Sequence, residues 1–199
     1  MMAIDFKLDK DRSREALVYL AAKLADTATD IGFDVYRACK LLFLADKLHL
    51  VRYGRTITGD RYFAMDDGPV PNQIYSKLKF FVDDDPHSPW LSPVLTIDRA
   101  PRYPRFIPKK LLAFDNLSLS DVEALDETLE RHSHKTFQEL WELTHEMAAY
   151  KNAWGRRGSK GSALMAFEDF FEEDSDAIAG ALEGAVEDSE LRKAFPIGC

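Results

Sequence analysis

From Asp34 to Tyr53 the chain is apolar almost all the way round a helical wheel. At about 100° per residue, Lys40 and Lys47 share one narrow stripe. Twelve of the other 18 positions are Leu, Val, Phe, Ala or Tyr. A helix of that kind is covered on several sides. The segment therefore predicts a central helix that stops at Gly54, a residue suited to the left-handed turn that closes helices. The other elements must wrap around it. With 199 residues, 46% of them hydrophobic, the chain can bury a sizeable core, and its length suits one domain with at most a short extension.

The flanking segments read as further helices joined by short extended pieces. Arg12 to Thr29 places Leu17, Leu20, Ala21, Leu24 and Ala28 at helical spacing, with Asp11 or Ser13 as a cap. Arg55 to Met65 predicts two short extended pieces around a Gly59-Asp60 turn. Asp66-Asp67-Gly68-Pro69-Val70-Pro71 reads as a bend, with Pro71 opening the next helix. That helix carries Ile74, Leu78, Phe81 and Val82 on one side. The proline-rich stretch His87 to Pro108 reads as a loop followed by a hairpin, Leu95–Asp98 against Tyr103–Ile107. Ser120-x-x-Glu123 and Thr136-x-x-Glu139 have the form of capping boxes, each starting an amphipathic helix. Gly155 to Ser162 is a basic, glycine-rich loop, and Ala163 to Phe171 and Ile178 to Val186 read as two final helices. The fold class that follows is mainly α: one helical domain with a small β-hairpin or short antiparallel sheet.

Acids outnumber bases 34 to 26, a net charge of -8. That balance argues against a surface that coats nucleic acid or anionic lipid throughout. No apolar run approaches the roughly 20 residues that span a bilayer. Met1 to Lys10 carries Asp5 and Asp9 and lacks the apolar core of a secretion signal. Two cysteines, Cys39 and Cys199, are too few for a disulfide scaffold or a cysteine zinc site. These features predict a cytoplasmic protein with no membrane partner.

Few residues carry chemistry. Asp46 and His49 fall on the helix sector of Val35, Cys39, Leu42 and Tyr53, which should be buried. A buried polar group needs a partner, so the pair is expected to anchor the following turn by bonding its backbone or Arg61. An Asp beside a His is also half of a catalytic triad, but no serine or cysteine sits in a nucleophile-elbow context. His132-x-His134 places its rings on different faces of a helix, a poor start for a metal site; solvated histidines beside a helix C-terminus are expected instead. Arg99, Arg102, Arg105, Lys109 and Lys110, with Tyr103 and Phe106 between them, suit single-stranded nucleic acid or a hairpin protected from edge pairing. Tyr62, Met65, Tyr75, Phe80, Phe81 and Trp90 gather around the turn-rich centre, mostly as core. No catalytic, cofactor or metal constellation emerges.

The run Lys40-Leu-Leu-Phe-Leu-Ala-Asp-Lys-Leu-His49, then Thr58-Gly-Asp60 with Tyr62 and Met65, then Gly68-Pro69-Val-Pro71 with Tyr75, closely resembles the Panacea domain, the SocA-like antitoxin family often labelled phage-associated protein. Leu143-Thr-His145 and Ala153-Trp154 resemble the family's closing helix. The likeness covers about residues 15 to 155 and divides the chain into a Panacea-like domain, 1–155, and an acidic helical extension, 156–199. It implies a mainly α-helical antitoxin, without catalytic residue or cofactor, that neutralises a protein toxin encoded next door by direct binding. The proline-rich middle and the acidic tail fall outside the motif. Asp46, His49, Asp60 and Tyr62 are expected to hold the turns that Gly59, Gly68, Pro69 and Pro71 shape, so the motif builds the fold.

The function expected is therefore that of a binding protein and not of an enzyme, with a cognate toxin as partner. Nucleic acid ranks below protein as a partner, and a homodimer stays open. The acidic segment Glu168 to Glu190 is a candidate contact surface for a basic toxin face, and its deletion with the rest of 163–199 should weaken binding more than folding. The alternatives are a DNA-binding regulator of its own operon, using the Arg99–Lys110 hairpin, and a hydrolase built on Asp46/His49 or His145-Glu146.

Overall fold

The computed structural model describes residues 4–26, 32–109, 113–172 and 180–194. Its centre is the apolar helix, α2 (Val35–Tyr53). Asp34 caps its start by accepting the Arg37 N–H, and Gly54 closes it at φ 73, its own N–H returning to the Leu50 carbonyl. Fourteen of its 19 residues are buried, which leaves too little exposed surface for a helix at the rim.

Two apolar clusters form on opposite sides of α2. On one side Ala38, Leu41, Leu42 and Ala45 pack against α1 (Lys10–Ala25), α3 (Asn72–Asp83), α4 (Leu119–His132) and the hairpin β3–β4 (Leu95–Asp98 and Arg105–Pro108). On the other, Phe43, Leu44 and Leu50 meet β1 (Tyr62–Met65), α5 (Phe137–Glu146), α6 (Ala148–Arg156), a 3-10 turn at Phe167–Phe171 and α7 (Ala181–Ala194). Each fully buried Leu or Phe contributes about 1.5–3 kcal/mol, and α2 supplies such residues to both sides. A three-stranded antiparallel sheet runs in the order β2-β1-β5, with β2 at Gly68–Pro71 and β5 at Ala163–Leu164. The class is mainly α with short antiparallel sheets, as the sequence predicted.

Several local expectations are corrected. The extended pieces do not flank Gly59-Asp60. The hairpin lies further on, Phe63 opposite Val70 and Met65 opposite Gly68, so the expected bend at 66–71 is itself a strand and its turn. Pro71 ends that strand and stands before α3. The first capping box uses Ser118 and Asp121, two residues earlier than Ser120 and Glu123; aspartate fills the role that glutamate was expected to fill. The Thr136–Glu139 box forms as predicted. Residues 163–171 are not a helix: Ala163 and Leu164 pair with β1, and one 3-10 turn follows. The helix beginning at Phe137 breaks at Met147, whose extended backbone separates α5 from α6. Residues 27–29 of the predicted first helix, 178–179 of the last, Lys110 and Cys199 lie outside the described residues.

Candidate functional site

Asp46 ties the end of α2 to the segment that follows it. Its Oδ1 accepts the backbone N–H groups of Ile57 at 2.8 Å and Thr58 at 3.0 Å, and its Oδ2 accepts the Thr58 and Tyr62 hydroxyls. The carboxyl is fully buried, and that burial pushes its pKa up to about 6 against the pull of its four donors. The Thr58 hydroxyl also accepts the Asp60 N–H at 3.1 Å. Asp60 in turn replaces the cap that Pro71 cannot supply, since its carboxylate accepts the N–H groups of Gln73 and Ile74 in the first turn of α3. A carboxylate at a helix N-terminus meets the positive end of the dipole. Gly59 stands between them at φ 70, packed so tightly that a Cβ would lie 2.1 Å from the Lys7 carbonyl oxygen. Arg61 joins this network only through its backbone N–H, which Asp60 accepts at 2.9 Å, and its guanidinium pairs with Asp5 instead.

His49 belongs to a separate buried cluster. Its Nδ1–H donates to the Arg55 carbonyl at 2.7 Å, which leaves Nε2 to accept the Ser120 hydroxyl at 3.0 Å. Asp121 Oδ1 lies 3.2 Å from the same Nε2 and 2.9 Å from the Arg55 guanidinium. The three residue types are those of a catalytic triad, but the arrangement is not. A triad places hydroxyl and carboxylate on opposite ring nitrogens, whereas here both stand at Nε2 and a carbonyl holds Nδ1. Asp121 therefore cannot orient the ring from the nitrogen opposite the Ser120 hydroxyl, which is the carboxylate's role in a triad. Burial also depresses the ring's pKa to about 4, which makes it a weak base.

The turn between β1 and β2 is held from the other side. His145 stacks on Trp141 with ring centroids 3.8 Å apart, and its Nε2 faces the Asp66 carbonyl at 3.1 Å. Tyr150 donates to the Met65 carbonyl at 2.9 Å. Trp154 stacks on Tyr150 and lies under the Arg157 guanidinium. Beneath the turn sits Lys40, only 1% exposed. Its ammonium donates to the Pro69 carbonyl at 3.0 Å and lies 4.8 Å from the Tyr36 ring centre. Strand β2 is at the sheet edge and holds two prolines, which cannot donate to a further strand. Desolvation holds the Lys40 ammonium down to about 8.

A cavity of about 550 Å³ opens beside this lysine, between the start of α2, the β1–β2 turn, α3 and the β3–β4 loop. Tyr36, Met65, Val70, Tyr75 and Tyr103 line it, with Asp66 and Asp67 on one lip and Lys79 and Arg99 on another. Past Tyr36 and Tyr103 it continues into a cleft of about 330 Å³ lined by Arg37, Arg102, Arg105 and Phe137. Phe137 is half exposed and lies on Tyr36 with ring centroids 4.1 Å apart.

The family model described as antitoxin SocA-like, Panacea domain, matches residues 39–151, more than half of the chain. The chain belongs to this antitoxin SocA-like Panacea family. No curated protein and no solved structure matches it. The Panacea match opens in α2 and closes in α6, so it includes the proline-rich middle that the motif residues alone left out, and α1 precedes it. Trp154 stands three residues beyond its end.

Within the Panacea domain most of the predicted motif residues fall into three places. Asp46, Thr58, Gly59, Asp60 and Tyr62 form one buried network; Gly68, Pro69 and His145 meet around Lys40; Met65 and Tyr75 line the cavity. His49 stands apart with Asp121. Asp121 was not singled out by sequence reasoning, and Lys40 was read only as sharing a stripe with Lys47 and as the first residue of the motif run, whereas the fold buries it. His132 is half-buried with an unpartnered Nδ1, and burial lowers its pKa to about 4, which corrects the expectation of a solvated ring at that helix end. Among the described residues no group of three histidines, cysteines or carboxylates could hold a metal, and no helix is long and apolar enough to cross a membrane.

Proposed function

We propose that this chain is a cytoplasmic antitoxin of a bacterial or prophage toxin–antitoxin pair, and that it neutralises the protein encoded beside it by binding it directly, without catalysing a reaction. The family match over residues 39–151 carries the reading. Two features support it. The polar networks of the motif are committed to holding turns, with their hydrogen bonds spent within the fold. The open surface of the same domain is a long groove with aromatic walls, and exposed aromatic side chains beside a rigid scaffold make protein-binding anchors.

The acidic tail suits the role less well than its composition suggests. Glu168 accepts the Ile4 N–H and Asp169 pairs with Arg156, so both serve the fold. Residues 173–179 lie outside the described residues. Met165, Phe167, Phe170 and Ala185 are core, so deleting 163–199 removes part of the core together with any contact surface, and weaker binding after that deletion does not by itself assign the contact to the tail.

The test is co-purification. The chain and the product of the adjacent gene, expressed together with a tag on one partner, should elute as one complex of fixed stoichiometry. Two separate peaks from well-folded partners would overturn the reading.

A further inference from the structure

Lys40 is the observation the antitoxin reading leaves unexplained. An ammonium has three N–H donors, and among the described residues one of them finds an acceptor, the Pro69 carbonyl, with the Tyr36 ring as the other contact. No carboxylate forms an ion pair with it among the described residues. A buried charge without a counter-ion is costly, and proteins pair or neutralise such groups. Holding up the edge of β2 requires one donor, and a neutral side chain could supply that. The remaining two donors belong to a side chain that lines the floor of the larger cavity.

The surroundings specify what would complete it. Cavity and cleft adjoin at Asp34, Tyr36 and Tyr103, which line both, and together they are the groove considered for a ligand. Six cationic side chains line it: Lys40, Lys79 and Arg99 in the cavity, Arg37, Arg102 and Arg105 in the cleft. Four carboxylates face them, from Asp34, Asp66, Asp67 and Asp83. The groove is thus net positive on a chain whose net charge is -8. Asp34 accepts the Arg37 N–H and Asp83 pairs with Lys79, while the guanidinium groups of Arg37 and Arg99 donate to backbone carbonyls.

We infer that the groove receives an extended segment of the partner polypeptide, and that one carboxylate side chain of that segment sits on the Lys40 ammonium as the counter-ion the fold withholds. The inference rests on the antitoxin reading and names the surface through which it acts. A polynucleotide fits less well: it carries a charge at every residue, and the lip formed by Asp66 and Asp67 repels a polyanion. A peptide places a single negative charge on the floor, its apolar neighbours against Tyr36, Val70, Tyr75 and Tyr103, and a donor at the aspartate lip. Electrostatic complementarity of this mixed kind sets register and partner choice.

The experiment compares the wild-type chain with Lys40→Met and Tyr103→Ala, measuring the melting temperature of the free protein and the Kd for the neighbouring gene's product. Methionine matches the lysine stem and removes an uncompensated buried charge at the cost of the Pro69 hydrogen bond, so Lys40→Met should melt close to the wild-type temperature while its complex weakens tenfold or more. Tyr103 is 62% exposed, so Tyr103→Ala should keep the melting temperature and also weaken the complex. An Asp→Asn and Glu→Gln scan of the partner should contain one variant whose loss is not additive with Lys40→Met. If the wild type forms no complex, the antitoxin reading fails and this inference falls with it. If the wild type binds and both variants bind equally well, or if no partner carboxylate couples to Lys40, the groove assignment alone is overturned. A single-stranded oligonucleotide held by the wild type and released by Lys40→Met would reassign the groove to phosphate.

Discussion

The Tyr62 hydroxyl donates to the Asp46 carboxylate at 2.8 Å, across the 16 residues that separate the middle of α2 from the first residue of β1. Both side chains are fully buried. One aspartate therefore fixes where the chain re-enters the fold after leaving the central helix, and it does so with four donors converging on one carboxyl group.

Asp46→Ala should leave the Ile57 and Thr58 N–H groups and two hydroxyls without that acceptor. Each unsatisfied buried group costs about 1–3 kcal/mol, and partial rescue by water brings the total to about 4 kcal/mol. Asp46→Asn keeps one acceptor for the two N–H groups and should cost about half as much. Urea denaturation followed by circular dichroism measures both, and equal stability of the alanine variant and the wild type would remove Asp46 from its anchoring role.

Gly59 and Gly68 should be intolerant of any side chain, for two separate reasons. At Gly59 the left-handed backbone adds roughly 1–2 kcal/mol for an L-residue, and the Lys7 carbonyl occupies the Cβ position from the other side. Gly59→Ala should therefore destabilise by about 3 kcal/mol. At Gly68, φ 97 is combined with contacts of 3.0 Å to Lys40 Nζ and Thr144 Oγ1. Those are side-chain tips that can move, so Gly68→Ala should cost about 2 kcal/mol. Gly155→Ala meets nothing and serves as the control. Thermal melts of the three variants should rank in that order.

His49 should make the fold acid-sensitive. Burial lowers its folded pKa from 6.5 to about 4, so the unfolded chain binds the proton more readily than the native one. Its stabilising contribution is complete above pH 6.5 and is lost as pH falls toward 4, a change of about 3 kcal/mol by linkage. His132 adds to the same limb. Asp46 works in the opposite sense: its raised pKa favours the native state below pH 3.8, and that advantage is lost as pH rises through about 6. His49→Gln should flatten the decline between pH 6.5 and 4. A pH series of melting temperatures with an unchanged slope in that variant would contradict the assignment.

These residues also show how far the sequence could be read. The central helix was legible because nearly every face of 34–53 is apolar, and the burial of Asp46 and His49 followed from their place on that wheel. Their partners were not legible. The Asp46 network depends on where the chain returns after Gly54, and Arg61, adjacent in sequence, is drawn away by Asp5. The β1–β2 hairpin was misread because its second strand is Gly-Pro-Val-Pro, a composition that signals a bend when tertiary pairing is ignored. The prolines are tolerated in this strand because it lies at an edge. The 163–171 segment was misread because Phe167 and Phe170 fit a helical period as well as they fit a single 3-10 turn. The cavity could not be read at all, since its walls come from five segments whose proximity only the fold creates.

The central claim is that the chain acts by binding and not by turnover, and titration of the toxin tests it most directly. Purified chain added to a fixed amount of the neighbouring gene's product should reduce that product's activity linearly and abolish it at a constant molar ratio, independent of incubation time. Inactivation by a small fraction of an equivalent, progressing with time, would mean that the chain is a catalyst and would contradict the binding mechanism.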